Sequence, residues 1–505
     1  MGWVATSEMQ AAEAGRGVLM AGGTACDAAI AMAAALTVTE PTSNGLGGDL
    51  FALVHDGSDV HALAANGASP RALPVEALRR SIQGDHMPRR GWPTVTVPGQ
   101  IAGWSALHER FGRTPWPEVL APAIRLAEGG FLVGTITGAA WARAFSTHGF
   151  AEEPSWCDTF LVEGAPPSPG DRFVAPAHAR TLRAIAEGGS AAFYSEVAEA
   201  IVAFSTETGG WFSRADFAAQ HARWVAPLSV RYGGWRVYGM TAPTQGVCAL
   251  EVLGMLQGPD DGTPEHIHRA IEAIKLAFAD TYATVADPDH LKVAPQALLT
   301  EAHLARRRAR IGPQAGPSPA PPGIDGGTVL LCAVDDEGQA ASVIQSNFAG
   351  FGSGLVVPGW GIALQNRGAG FSLDRAHPNA LGAGKRAFHT ILPGLVATEH
   401  GVGPFGCMGG QMQPQGHVQL VTALARGASP QAAVDAARWR WRDEGDVALE
   451  VGFPPEVARD LEARGHRLLR DVPSTDFGGA QILWPGPDGW RGGSDPRKDG
   501  GVLSG

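Results

Sequence analysis

Residues 325–334 read Asp325-Gly326-Gly327-Thr328-Val329-Leu330-Leu331-Cys332-Ala333-Val334, and the reading of the whole chain turns on that stretch. Upstream, Gly312–Gly327 is a run of Gly, Pro, Ala and Ser with almost no apolar bulk. Such a run cannot bury enough surface to order itself, so a mobile linker is expected there. The character changes at Thr328. Thr328–Val334 is apolar and β-leaning, Asp335-Asp336-Glu337-Gly338 is turn chemistry, and Ala341–Ser346 returns as a second strand. A flexible glycine pair therefore runs straight into a threonine that opens a buried-type strand.

Further out, the N-terminal hundred residues alternate helical and strand-like pieces. Ala28–Val38 is an Ala-rich helix ended by Glu40-Pro41. Thr42-Ser43-Asn44-Gly45-Leu46-Gly47-Gly48-Asp49 then leads into the strand-like Leu50–His55, and so many small residues before a strand imply backbone passing close to something. Thr263-Pro264-Glu265 is an N-cap with proline at the first helical position, and Ile267, Ile271, Ile274, Phe278 and Tyr282 form one stripe of the helix behind it. Two more helices are expected at Gly416–Arg426, stopped by Gly427, and at Pro430–Trp441, capped by Ser429.

The chain has 505 residues, 68 Gly and 37 Pro, with 39 basic against 50 acidic side chains, a formal charge of −11. That balance argues against nucleic acid or an anionic membrane as the main partner. Five scattered cysteines without a CxxC pair signal neither a disulfide framework nor a zinc ribbon. No secretory signal is visible, and the longest apolar run, Ala28–Leu36, is far too short to span a bilayer. These points place the protein in the cytoplasm, or in the periplasm if a leader preceded Met1.

Were the Gly327–Thr328 bond cut, Thr328 would carry a hydroxyl and a free α-amine on one residue. An α-amine titrates near ~7.7–8.0, so it can act as general base to its own hydroxyl. From these residues alone, a β-branched residue opening a strand is the simpler account. Gly409-Gly410, in Cys407-Met408-Gly409-Gly410-Gln411, offers backbone N–H groups that could hold an oxyanion, or an ordinary tight turn. Rival motifs fail. Gly401–Gly406 matches GxGxxG but lacks both an immediate helix and an acid some ~20 residues on. Walker A and GxSxG sequences are absent. His266-x-His268 points its rings to different faces, the ordinary pattern of solvated helix histidines.

Taken together, and in order, the short motifs resemble the γ-glutamyltransferase family of N-terminal-nucleophile (Ntn) hydrolases. They are Gly23–Ala29, Glu40-Pro41 through Gly45-x-Gly47-Gly48, Val97-Pro98-Gly99, Pro243-Thr244-Gln245-Gly246, Glu272-Ala273, Asp287-Pro288 and Gly327-Thr328. The series continues with Phe351-Gly352-Ser353-Gly354, Pro378-Asn379-Ala380, Gly384-Lys385-Arg386, Gly409-Gly410 and Gly493-Ser494-Asp495-Pro496-Arg497. The order reverses the local preference on Thr328. The resemblance implies an α+β fold, the Ntn αββα sandwich of two stacked antiparallel sheets between helical layers. It also implies a precursor that cuts itself between Gly327 and Thr328 into a large chain, 1–327, and a small chain, 328–505, which stay together. By position Thr328 is nucleophile and base, Ser346 tunes it, and Gly409 and Gly410 form the oxyanion hole.

The pocket departs from the family. An acid that holds the substrate's α-amine is replaced by Gly370, and a Ser pair that grips its α-carboxylate becomes His389-Thr390. The carboxylate-clamping Arg has no clear counterpart: Val75 falls at its spacing, with Arg71, Arg79 and Arg80 nearby. Arg367 brings in a new cation, either for a carboxylated acyl chain or as half of a core ion pair. Asn347, Arg367, Gly370, His389 and Thr390 are thus the expected substrate-binding set. The expected activity is hydrolysis of a γ-glutamyl or related carboxylated acyl amide through an acyl-Thr intermediate, with transfer to an amine open. An acylase on a cephalosporin-like or oxamate-like amide is the alternative, and an uncut, silent binding protein the reading from another class. Neither cofactor nor metal is expected, and oligomeric state is left open.

Overall fold

A computed structural model describes residues 1–147, 149–256, 262–317, 326–442 and 445–505. In the strand Gly327–Val334 alternate side chains go to opposite faces. Val329, Leu331 and Ala333 pack on helices, whereas Leu330, Cys332 and Val334 pack on a second sheet. The partner strand Ala340–Phe348 is buried at every position, the consequence of a sheet covered on both sides. Its neighbours complete a seven-stranded antiparallel sheet. The order is Gly501–Ser504, Trp3–Thr6, Gly327–Val334, Ala340–Phe348, Asp49–His55, Val60–Ala65, Arg223–Val225.

Stacked on it is a six-stranded sheet in the order Gly489–Ser494, Gly479–Gly486, Gly401–Met408, Gly394–Thr398, Trp235–Gly239, Leu228–Tyr232. Phe51, Leu53, Leu330, Ile344, Ile391, Leu395, Met408 and Leu483 fill the space between the sheets. The helices Met9–Met20, Ala25–Thr39 and Gln100–Phe111 cover the outer face of the first sheet. Gly246–Met255, Pro264–Thr284 and Met412–Ala425 cover the second. This is the αββα sandwich expected from the sequence. Ala25–Thr39 begins with a reciprocal Thr24–Asp27 capping box and is buried at every residue, and that burial on all sides explains its small side chains.

Four local expectations need correction. The helix after Ser429 stops at Asp435, and Trp439–Trp441 is a strand paired with Val447–Glu450. Both tryptophans are buried there, so a period of two overrides the helical one. His268 is buried, not solvated: its Nδ1 lies 2.8 Å from His466 Nε2 and its Nε2 2.8 Å from the Gly312 carbonyl. That contact also anchors the start of the expected linker, where the Ala315 N–H donates to Arg464 O at 2.8 Å and the Gly316 N–H to Glu272 Oε2 at 2.9 Å. Residues 318–325 of the linker lie outside the described residues. The helix at 416 begins four residues earlier, at Met412. Among the described residues no disulfide links any of the five cysteines. No helix among the described residues is long and apolar enough to cross a membrane.

Candidate active site

Strand alternation puts the Thr328 side chain on the face of Leu330 and Cys332, between the sheets, where it is 2% exposed. The neighbouring strand carries a register shift between Gln345 and Phe348, a bulge opposite Thr328. The bulge aims Ser346 at the Gly327–Thr328 peptide. Ser346 Oγ donates to the Gly327 carbonyl oxygen at 2.6 Å and accepts from the Phe348 N–H at 2.7 Å. Phe348 pays with φ 76°, a left-handed conformation rare for an aromatic residue and typical of strain kept at functional sites. On the other side Gly327 meets the 42–43 turn: a β carbon there would lie 2.9 Å from Ser43 Cα.

The second sheet supplies the rest. Gln413, buried at the start of Met412–Ala425, donates from Nε2 to Thr328 Oγ1 at 3.4 Å, a long contact, and its Oε1 accepts from the Leu392 N–H at 3.0 Å. Gly409 and Gly410 bridge strand and helix with φ 108° and 56°, backbone that side chains resist. Gln245 Nε2 ties this turn to the pocket, donating to Gly410 O at 2.9 Å and Thr390 O at 2.5 Å. Gln413 has no place in the sequence reading, and Gln245 enters it only within the motif at 243–246, without a role. The run of buried glutamines at 411, 413 and 415, each with an amide to satisfy, was the available clue.

Of the expected binding residues, Gly370 alone lines the cavity beside Phe348, about 460 Å³ in volume. Its walls are Met87, Tyr282, Phe348, Phe371 and Phe388, with Asp85, His86 and Arg89 exposed at the rim. Asp85 is the only acid among these lining residues. Arg367, fully buried, lies behind the Phe348 ring, its Cζ 4.4 Å from the ring centroid. Its Nη1 donates to Thr390 Oγ1 at 3.1 Å, and Nε and Nη2 have no partner among the described residues. His389 Nε2 sits 2.9 Å from Asp49 Oδ2, off the line of a hydrogen bond, with both side chains fully buried. Asn347 faces the other way, donating to Ala363 O at 3.2 Å against the Gly45–Gly48 loop. Arg79 donates to the carbonyls of Leu373 and Leu381, and neither it, Arg71 nor Arg80 lines the cavity.

Burial dominates the electrostatics of this inner cluster. It pushes the Asp49 carboxyl up to about 7 despite the Arg367 charge and the N–H groups of Gly99 and Gly67. It brings Arg367 down to about 9, opposed by Asp49. His389 is held well below the usual imidazole range by burial and by Arg367. At neutral pH the ring is therefore neutral and Arg367 remains charged. Asp49 escaped the sequence reading, although a carboxylate entering an otherwise apolar strand marks an internal partner.

Two stacked antiparallel sheets between helices, with a strand-opening threonine held between them, define an Ntn-hydrolase fold. The model of the γ-glutamyltranspeptidase family matches residues 11–505, and the chain belongs to that family of hydrolases. It is 37% identical to an oxamate amidohydrolase proenzyme of Klebsiella pneumoniae, across 97% of this chain and 96% of that one. It is 34% identical to the glutathione hydrolase-like YwrD proenzyme of Bacillus subtilis, across 98% and 96%. The crystal structure of a cephalosporin acylase from Bacillus halodurans superposes with a TM-score of 0.94 at 42% identity, covering 100% of this chain and 96% of that one.

Proposed function

We propose that the chain is a self-processing threonine amidohydrolase whose substrate is an amide with a carboxylated acyl group that lacks the α-amine of a γ-glutamyl donor. The observation that carries the reading is the Ser346 hydroxyl on the Gly327 carbonyl, with the Thr328 side chain on the same inner face. Hydrogen bonding to that oxygen polarises the carbonyl carbon for attack by Thr328 Oγ. The new C–O bond and the broken C–N bond convert the peptide to an ester, and the hydroxyl proton passes to the departing nitrogen. Water then cleaves the ester, leaving a Gly327 carboxylate and a Thr328 with free hydroxyl and α-amine. Relatives named as proenzymes support a precursor divided into two chains, and the proposed chains are 1–327 and 328–505.

In turnover the α-amine takes the hydroxyl proton as Thr328 Oγ attacks the substrate, and returns it to the leaving amine. The Gly409 and Gly410 N–H groups serve the oxyanion. Water, or a second amine, resolves the acyl-enzyme. The cavity beside Phe348 is the acyl pocket. Arg367, screened from it by one ring, sets a positive potential at its inner end, and Arg89 adds charge at the rim. With Gly370 in the wall, an ammonium group placed there meets no carboxylate at that position; the one acid among the lining residues, Asp85, stands exposed at the rim. Oxamate, in one relative's name, is itself a carboxylated acyl amide without such an amine.

Two measurements test this. Intact mass should give two chains divided between Gly327 and Thr328; a lasting single chain that releases no product from any amide sinks the enzyme reading. Glutaryl anilide should then be hydrolysed in preference to γ-glutamyl anilide, which differs by the α-amine alone. The reverse order overturns the assignment of the pocket.

A further inference from the structure

Glu40 follows the buried helix Ala25–Thr39, is itself 2% exposed, and has both carboxylate oxygens engaged. Oε2 accepts from Ser7 Oγ at 2.5 Å; Oε1 accepts from Ser43 Oγ at 2.8 Å and from Lys498 Nζ at 2.9 Å. The Ser43 N–H also donates to the Glu40 carbonyl at 3.1 Å. Glu40 thus fixes Ser43 through both its main chain and its side chain. The held residue is the one that Gly327 abuts: an added β carbon would lie 2.9 Å from Ser43 Cα and 3.0 Å from Thr42 O. The glycine is gripped twice, by Ser346 at its carbonyl oxygen and by the 42–43 turn at its α carbon.

The cation that completes this arrangement comes from the far end of the sequence. Lys498 stands in a segment fastened at both sides: Asp495 pairs with Arg438 and Arg497, and Asp499 accepts the N–H groups of Ile136 and Thr137 at 2.9 and 2.8 Å. Its stem lies along Gly479, and its side chain keeps 17% exposure. The mechanism of turnover uses neither Glu40 nor Lys498, and neither lines the acyl cavity.

We infer that Glu40 and Lys498 are positioning residues for self-cleavage: together they hold the 42–43 turn as the wall against which Gly327 is pressed toward Thr328. The inference rests on the self-processing reading above. A carbonyl carbon allowed to drift from the hydroxyl loses the near-attack geometry on which an intramolecular acyl shift depends. Once the bond is cut the wall has done its task, so the pair governs maturation and not turnover.

The test follows full-length precursor as it is made, reading the appearance of 1–327 and 328–505 by mass, and then kcat and KM per cleaved molecule on an anilide substrate. Lys498→Met and Glu40→Gln should each slow cleavage by about tenfold or more, while kcat and KM of the cleaved enzyme stay within about twofold. Lys498→Arg should restore most of the rate, which a loss of general stability would not explain. Ser43→Ala, which keeps both charges, should slow cleavage as well and supplies the answer if Glu40→Gln does not fold. Cleavage at the wild-type rate in Lys498→Met and Ser43→Ala overturns the inference, as does a fall in kcat matching the fall in cleavage. A wild-type chain that never divides refutes the self-processing reading itself, a separate outcome.

Discussion

The Thr328 end and the proposed acyl pocket touch at Phe348, yet they are built by different means. Around Thr328 the groups are main-chain atoms and short side chains, placed by strand register: a bulge for Ser346, a strand-to-helix turn for Gly409 and Gly410, a helix start for Gln413. The pocket draws on irregular segments, 366–371 and 377–390, with bulky rings and a buried charge cluster. Register leaves little room for variation without loss of the sheet. Irregular segments can exchange an acid for a glycine and keep the fold. Chemistry and selectivity should therefore fail separately when mutated.

The largest effect is expected at the register-built end. Thr328→Ala should stop both chain division and turnover, the latter by roughly 10⁴-fold or more, the scale of removing a covalent nucleophile. Residual hydrolysis near the wild-type rate would mean that another group attacks. Ser346→Ala removes the donor on the Gly327 carbonyl and leaves a half-buried oxygen short of a partner; at ~1–3 kcal/mol for such a loss, division should slow by about 10- to 100-fold. A mass time course decides it, and an unchanged rate would make that hydrogen bond a bystander.

At the pocket the effects are smaller and change preference more than rate. Gly370→Asp restores an acid; a β carbon there stays 3.2 Å from Phe388 O, so the wall accepts it with slight adjustment. The ratio of γ-glutamyl to glutaryl anilide hydrolysis should rise by about tenfold, in line with the ~1–3 kcal/mol of one gained charge-assisted hydrogen bond. No rise would place the amine elsewhere. The smallest effect concerns stability. Asp49 ionises near 7 when folded but near 3.8 when exposed, so the native state holds the extra proton between those values. Stability from this group is fully present below the lower value and is lost as pH rises to the upper one. Asp49→Asn should flatten that decline, read as Tm against pH; a slope unchanged by the substitution would exonerate Asp49.

The same division decided what the sequence could reveal. Thr328, its strand and the returning strand were legible, because a β-leaning run after a Gly/Pro stretch is a local pattern and the motif order supplies the family. The sandwich followed from that. The charge cluster was not legible: Asp49, Arg367 and His389 come from three distant segments, and only packing makes them neighbours. Arg367 could be read as a pocket cation or a core ion pair, and burial behind Phe348 is a fact of three dimensions. Trp439–Trp441 was misread because a short W-x-W segment satisfies either period until its partner Val447–Glu450 is known.

The interleaving of the seven-stranded sheet carries one more consequence. Gly327–Val334 lies between Trp3–Thr6 and Ala340–Phe348, and Ala340–Phe348 between Gly327–Val334 and Asp49–His55, so segments from both sides of residue 327 alternate within one ladder. Before a cut at that point, folding is a unimolecular event at any dilution. After it, recovery from complete unfolding requires two polymers to find one another and weave their strands, so recovery would depend on concentration. The division would act as a ratchet: the protein assembles once, as a single thread, and afterwards persists through the slowness of coming apart rather than through any ability to begin again.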